Sequence, residues 1–305
     1  MPDAPALSVI IPHLNAPDAL NRCLASLAGQ RGDGVPFEVI VVDNGSAQLP
    51  DAICGAFGFV RLEQELTPGP GPARSRGAHL ARADLLAFID CDCIAAPGWI
   101  AGIHGYFRDH PETDVIGGDV RIHRADAERP TAIEAYEGVY GYRMKLYVER
   151  DGYTATCNMA VRRDTFLQVG DFAGISIAED VDWGRRATAQ GIRIDYAPDI
   201  CIATPARESF SELTRKWDRH IGHDFAELTS TKDRARWTLR SLSLAASPLA
   251  EIPRIAGSDR LSGMNERALA FLGLTRIRFY RCRRMLGLLL SGDDRALSGA
   301  WRHRG

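Results

Sequence analysis

Two short runs constrain this chain more than any other feature: residues 7–12 (LSVIIP) and 37–42 (FEVIVV), both almost wholly apolar and rich in β-branched side chains. A strand with one wet face alternates apolar and polar residues. A strand that is apolar throughout must be covered on both faces, as in a parallel sheet with helices on either side. Between the runs lies a helix: Asn15 is placed to cap it, Pro17 suits its first turn, and Leu20, Cys23, Leu24 and Leu27 recur at helical spacing as one stripe. The unit is β-α-β. It repeats with a strand at 58–62, a helix from about 73 to 83 and a strand over 85–89. A helix opened by Pro97 and Trp99 follows, then extended stretches at 115–123 and 154–161, a helix over 179–190 and a strand at 192–196. Beyond about Pro205 the pattern is helical throughout. The expected division is an α/β domain over 1–205 and a helical region over 206–305.

The 305 residues, 45% of them apolar, are enough to build a large core. With 37 basic and 39 acidic residues there is no overall field to recruit nucleic acid, so an anionic ligand must be held locally. Seven cysteines, an odd number and mostly set in apolar runs, read as reduced buried thiols. The first residues lack the basic start and apolar stretch of a secretory signal, and no run approaches the roughly 20 apolar residues that span a bilayer. A cytoplasmic protein is the expectation.

The apolar strands run into polar residues at their carboxyl ends: Asp43-Asn44-Gly45-Ser46 after the second, Asp90-Cys91-Asp92-Cys93 after the fourth. Ligands of open parallel sheets bind at that edge. The second motif admits two readings, a soft-metal or redox site on the cysteines or a hard-cation site on the carboxylates. On an extended backbone the two aspartates share one face and both thiols point the other way. A zinc site would need two further ligands near the thiols, and no second Cys-x-x-Cys or histidine pair supplies them. A dinucleotide fold needs its glycines after the first strand, where the chain has Pro12-His13-Leu14-Asn15. The Gly69-Pro70-Gly71-Pro72 run lies elsewhere, so NAD binding is disfavoured.

Taken in order, SVIIPHLN (8–15), VIVVDNGS (39–46), GPGPARSRGAHLARADLLAFIDCDC (69–93), TCNMAVRRDTF (156–166) and AEDVDWGRRATAQGIRIDYAP (178–198) resemble the family 2 glycosyltransferases of GT-A fold. The resemblance implies a Rossmann-like, mixed, mostly parallel sheet flanked by helices, with a helical C-terminal extension. It implies an inverting transfer of sugar from a nucleotide diphosphate donor, uridine being the expected nucleoside, with Mn²⁺ or Mg²⁺ as cofactor. Asp92 then corresponds to the metal ligand of the DXD motif and Asp90 to its donor-facing supporter. Asp43 corresponds to the nucleobase-binding aspartate, although Asp-Asn-Gly-Ser is also good turn chemistry in itself. Arg74 falls at the arginine of the A-R-N motif near base and phosphates, with Ser75 departing from its third letter. Pro12 falls at the strand-end proline beside the nucleotide, with His13 next to it.

The resemblance places the E-D motif on Glu179 and Asp180, with Asp180 as the base that deprotonates the acceptor. The residues also fit plain helix-start chemistry: Ser176 with Glu179 is a capping-box pattern, and Glu179, Asp180 and Asp182 suit a helix N-terminus. Glu179, Asn158 and Trp183 are acceptor-side candidates, with backbone satisfaction and core packing as the competing roles of the last two. Trp99 matches the tryptophan after the DXD and reads as packing. No histidine stands in the 201–204 stretch where some relatives place a further metal ligand, which leaves His220 or His223 only if the following helix folds back. Arginines at 276, 278, 281, 283 and 284 among apolar residues suit peripheral membrane contact, a polyprenyl-linked acceptor, domain packing or a homodimer interface. The expected partners are a nucleotide-sugar donor and a saccharide or lipid-linked acceptor, with a place in polysaccharide or glycoconjugate biosynthesis. A catalytically inactive nucleotide-sugar-binding or scaffold protein of the same fold is the alternative.

Overall fold

A computed structural model describes residues 4–126, 128–175, 178–226 and 228–291. The chain divides into two compact units, Met1–Arg121 with Arg143–Thr204, and Ile122–Tyr142 with Pro205–Gly305.

The first unit is built on an eight-stranded mixed sheet of order β3-β2-β1-β4-β7-β6-β8-β5. Its strands are β1 (Leu7–His13), β2 (Phe37–Asp43), β3 (Val60–Gln64), β4 (Leu85–Ile89), β5 (Ile94–Ala95), β6 (Val115–His123), β7 (Asn158–Arg162) and β8 (Ile194–Pro205). β1 runs parallel to β2 and β4, and β2 parallel to β3. β7 is antiparallel to β4 and β6, and β5 to β8. Every residue of β1 and β2 is buried, as their unbroken apolar composition requires. The covering helices include α1 (Pro17–Ala28), α2 (Asp51–Gly55), α3 (Pro70–Leu80), α4 (Trp99–Asp109), α6 (Met144–Glu149), α7 (Arg163–Val169) and α8 (Glu179–Ala189), with α5 (Ala132–Tyr140) belonging to the other unit. Leu20, Cys23, Leu24 and Leu27 of α1 are buried as one stripe. On the α3 and α8 side, Phe166 and Trp183 stack at 6.1 Å and Phe172 packs against both.

Three local expectations are corrected. Asn15 does not cap α1; Ala16 does so without a side-chain bond, and Asn15 sits at φ 50° bridging to the next loop. α3 starts at Pro70 and ends by Leu80, three residues earlier at each end than expected, because Pro70 and Pro72 suit a first turn that lacks intrahelical N–H partners. Asp90–Cys93 is not extended: the Cys93 N–H donates to the Asp90 carbonyl at 3.0 Å and closes a turn. α8 opens after Ala178 with no side-chain cap bond, and the Ser176 of the expected capping pair lies outside the described residues.

The second unit contains α5, α9 (Phe210–Ala226), α10 (Thr231–Ala246), a short 3₁₀ turn Leu249–Glu251, α11 (Ile252–Ala256) and α12 (Gly263–Ser291). Thr131 and Glu134 form a complete capping box at the start of α5. Tyr136, Leu213, Leu274 and Ile277 share a core. Most α12 arginines face neighbouring helices: Arg278 donates to Glu251 at 2.7 Å, Arg284 to Asp218 at 3.2 Å, and Arg281 lies 3.6 Å over the Trp217 ring. Arg276 likewise lies 3.8 Å over the Phe210 ring, while Leu272, Phe279, Arg283 and Leu290 of the same helix are exposed. His220 packs its ring 5.6 Å from Trp217, and the His223 side chain lies outside the described residues. No helix among the described residues is long and apolar enough to cross a membrane.

Candidate active site

Because β1, β2 and β4 are parallel, their carboxyl ends emerge on one edge of the sheet, where His13 and Asp43 are register partners and Asp90 follows Ile89. Asp43 is completely buried. One carboxylate oxygen accepts from His13 Nδ1 at 2.9 Å, and the other accepts the Gly45 and Ser46 N–H groups at 3.2 and 3.0 Å. The Ala16 N–H donates to His13 Nε2 at 3.2 Å, which assigns the ring proton to Nδ1 and directs it at Asp43. Burial alone would push the Asp43 carboxyl up, but the hydrogen bonds from Ser46 and His13 outweigh it and hold the carboxyl below its usual range. His13 is thus the partner that fixes Asp43. Pro12 is buried immediately before it.

Two asparagines stitch the surrounding loops together. Asn15 accepts from Ala47 N–H at 2.9 Å while its own N–H donates to Ser46 Oγ at 2.8 Å. Asn44 donates to the carbonyls of Glu65 and Thr67 at 2.7 and 2.8 Å and accepts from Gly69 N–H at 2.7 Å, so the second and third crossover loops meet on one side chain. Gly69 then starts α3 at φ 122°, a conformation that L side chains rarely adopt.

Asp90, Cys91, Asp92 and Cys93 form the turn after β4. Cys93 is buried, Cys91 is half-buried and Asp92 is exposed. Protein atoms nonetheless crowd the Asp92 carboxyl, and this desolvation, then the neighbouring Asp90 charge, raises it above its ordinary value. Burial pushes the Cys91 thiol up to about 12, the aspartates adding to the effect, so it remains protonated. The Cys93 thiol donates to Asp92 Oδ1 at 3.5 Å, so the thiols support the turn that carries the carboxylates.

Arg74, from the first half of α3, is buried between two carboxylates. Nη2 donates to Asp90 at 2.5 Å and Nη1 to Glu179 at 2.9 Å, while the buried Nε has no partner among the described residues. Asp180, the next residue of α8, accepts its neighbour's N–H (Val181) at 2.8 Å and is half-buried. Desolvation, then the Glu179 charge, raises its carboxyl above the ordinary range, with Arg74 opposing. One turn along α8, the Tyr153 backbone packs so closely on Gly184 that a Cβ there would lie 2.4 Å from the Tyr153 Cβ. Tyr153 stacks on Tyr147 at 5.1 Å, which puts a half-buried pair of phenol rings beside Asp180. Sequence reading did not find this pair; no spacing links residues on α6, a loop and α8.

The structure thus brings Arg74, Asp90, Glu179 and Asp180 together with the Asp92 turn. Asn158 and Trp183 it places in the core. Asn158 accepts from Trp99 Nε1 at 2.9 Å and donates to the Asp119 and Ile200 carbonyls at 2.7 and 2.9 Å. Trp183 is fully buried and donates to the Gly170 carbonyl at 2.8 Å.

One arginine against Asp90, Asp92, Glu179 and Asp180 leaves the crevice with excess negative charge. A polyphosphate can approach such a site only with a cation between, and the available donors are hard oxygens of the kind Mg²⁺ and Mn²⁺ take together with water and phosphate. Among the described residues no group of three or more metal-ligating side chains is found; Asp90 and Asp92 are the carboxylates that would hold such a cation. The donor set fits a cation shared with a diphosphate.

The mixed, mostly parallel sheet flanked by helices, with carboxylates gathered at the carboxyl edge of its strands, is the GT-A fold of a glycosyltransferase. The family description for glycosyl transferase family 2 matches residues 8–174, and the chain belongs to that family. Among curated relatives, glycosyltransferase AglE of Haloferax volcanii is 32% identical over 222 residues, 70% of this chain and 70% of the relative. The pre-mycofactocin glycosyltransferase of Mycobacterium tuberculosis is 28% identical over 222 residues, 69% of this chain but only 44% of the relative. Among solved structures, the mannosyltransferase PcManGT of Pyrobaculum calidifontis, in complex with GDP-Man and Mn²⁺, superposes with a TM-score of 0.56 at 16% identity, over 99% of this chain and 89% of that one. S. aureus TarS 1–349 in complex with UDP-GlcNAc gives 0.53 at 17% identity, over 94% and 76%. These two share the fold.

Proposed function

We propose that this protein transfers a glycosyl group from a nucleotide diphosphate sugar, a uridine one, to an acceptor hydroxyl with inversion, in polysaccharide or glycoconjugate biosynthesis. The observation that carries the reading is the arrangement of donor-side Asp90 and acceptor-side Glu179–Asp180 about one guanidinium, with Asp92 open beside them. Single displacement needs this and no covalent nucleophile: a base on one side of the reacting carbon and charge neutralisation on the other. Asp180, its proton affinity raised by desolvation, takes the acceptor's proton. The Tyr147–Tyr153 pair offers the acceptor a ring face beside that base. Asp43, fixed at the sheet edge by His13 and the Gly45–Ser46 turn, serves as the nucleobase-side aspartate, one acceptor site of its Oδ1 remaining beyond the His13 bond. Asp92, with Asp90 behind it, would hold Mg²⁺ or Mn²⁺, which when bound neutralises the departing diphosphate. The solved relatives holding GDP-Man with Mn²⁺ and UDP-GlcNAc support a nucleotide-sugar donor.

The exposed stripe of α12, Arg283 among Leu272, Phe279 and Leu290, supports contact with an anionic bilayer and a lipid-linked acceptor. Flotation with anionic vesicles at low salt tests this, and protein that stays at the bottom of the gradient overturns it.

Donor use is tested by a thermal-shift screen of UDP- and GDP-sugars with and without Mn²⁺, coupled to a nucleotide-release assay. A ligand at 100 times its Kd raises stability by about 2.7 kcal/mol, a clear shift. Metal-dependent stabilisation with slow nucleotide release is expected; stabilisation by none of the sugars overturns the reading.

A further inference from the structure

The GPGPARS segment resembles a nucleotide-contacting motif, yet the structure turns it toward the chain itself. Arg74 is 3% exposed, and both Nη atoms are committed to carboxylates from different elements, Asp90 after β4 and Glu179 on α8. Ser75 Oγ accepts the Phe172 N–H at 3.0 Å. Gly71 lies so close to Ala173 that a Cβ would come within 2.0 Å of the Ala173 carbonyl oxygen. Successive positions of one helix thus grip the segment entering α8 by close packing, by a backbone hydrogen bond and by an ion pair.

We propose that Arg74 is a positioning residue that ties the donor-side turn to the base-bearing end of α8 and so fixes where the Asp180 carboxylate stands. The inference rests on Asp180 being the acceptor-side base. Three observations favour positioning over direct phosphate contact. The guanidinium is covered, its two hydrogen bonds span the donor and acceptor sides, and the rest of its helix turn holds the same segment. Without its charge Asp90 and Glu179 would face each other as like charges, and repulsion would separate the elements that carry them. Ser75, where a related motif has another residue, has a place in the same grip through Phe172. A displacement of α8 by about 1 Å is enough to lower turnover by roughly 10²-fold without removing any group that binds donor.

The test compares wild type, Arg74→Lys, Arg74→Met and the milder Ser75→Ala in the full chain. Mn²⁺ with UDP and with GDP serves as the binding probe, hydrolysis of UDP-glucose, UDP-GlcNAc and GDP-mannose as the turnover probe, and amide exchange over 171–175 and 179–182 as the structural one. Positioning predicts that Arg74→Met loses about 10²-fold in kcat while KM for donor and nucleotide Kd move less than about fivefold. Exchange over the two segments rises roughly tenfold or more. Arg74→Lys, keeping the charge but not the fork, recovers part of both losses, and Ser75→Ala shows a smaller loss of the same kind. Nucleotide affinity falling as far as kcat in Arg74→Met overturns the proposal and assigns Arg74 to the phosphates, as does unchanged exchange over both segments. Should Arg74→Met fail to fold, Arg74→Lys and Ser75→Ala carry the same comparison. If wild type binds neither nucleotide with Mn²⁺, it is the donor reading that fails, and the exchange result still decides whether Arg74 anchors α8.

Discussion

Gly71→Ala isolates the closest approach in the site. The added Cβ would sit 2.0 Å from the Ala173 carbonyl oxygen, 3.2 Å from its carbon and 3.3 Å from the Phe172 Cβ. Since ordinary contact begins near 3.4 Å, the segment must withdraw by more than 1 Å, and the atom in the way is backbone, which has no rotamer to escape into. Overpacking of this kind costs about 1–3 kcal/mol. At about 2–4 °C per kcal/mol for a unit of this size, Tm should fall by several degrees. The same withdrawal pulls on the Arg74–Glu179 bond and shifts Asp180, for which a loss of about 10²-fold in kcat is reasonable. Differential scanning fluorimetry and donor turnover read the two effects. Gly55→Ala is the control, because nothing lies within 4 Å of a Cβ there and a helical position gains from alanine. Wild-type Tm and kcat in Gly71→Ala would refute the close packing from which the reasoning starts.

Three further outcomes follow from the site. Asn158→Leu removes the bond to the Trp99 N–H and one bond each to the Asp119 and Ile200 carbonyls, and should cost about 3 kcal/mol or more in urea unfolding; a change under 1 kcal/mol contradicts the network. Asp43 has a folded-state carboxyl held below its unfolded value, so its contribution is present above about pH 4 and fades as pH falls through the folded value. The stability gap between wild type and Asp43→Asn should therefore be widest near neutrality and narrow in acid, and a gap that does not depend on pH tells against it. The raised Asp180 carboxyl should place the acid limb of the turnover profile above the ordinary carboxylate range, and a limb at or below that range would exclude it as the base.

The sheet was legible because composition decides it: β2 is apolar over almost its whole length, and a strand buried on both faces is the only structure that uses it. α1 was equally clear from its stripe. What failed was local conformation where two principles compete. Asp90-Cys91-Asp92 follows an apolar strand and reads as its continuation, whereas a backbone bond from Cys93 to Asp90 folds it into a turn. Gly-Pro-Gly-Pro reads as loop, yet prolines fit the first turn of a helix and the glycines admit a neighbouring backbone. The acids at 43, 90, 92, 179 and 180 were visible as a set because the family resemblance ordered them. The polar residues that fix the surrounding loops were not, since His13, Asn44 and Ser75 gain their roles from residues 30, 25 and 97 positions away.

The central claim, donor-side charge handling separate from acceptor-side proton removal, is tested most directly by calorimetric titration of UDP and GDP into wild type, Asp92→Asn and Asp180→Asn, with and without Mn²⁺, alongside turnover. Asp92→Asn should lose the metal-dependent part of nucleotide binding together with activity, while Asp180→Asn keeps binding and loses turnover. Unchanged metal-dependent binding in Asp92→Asn, or turnover retained in Asp180→Asn, would contradict it.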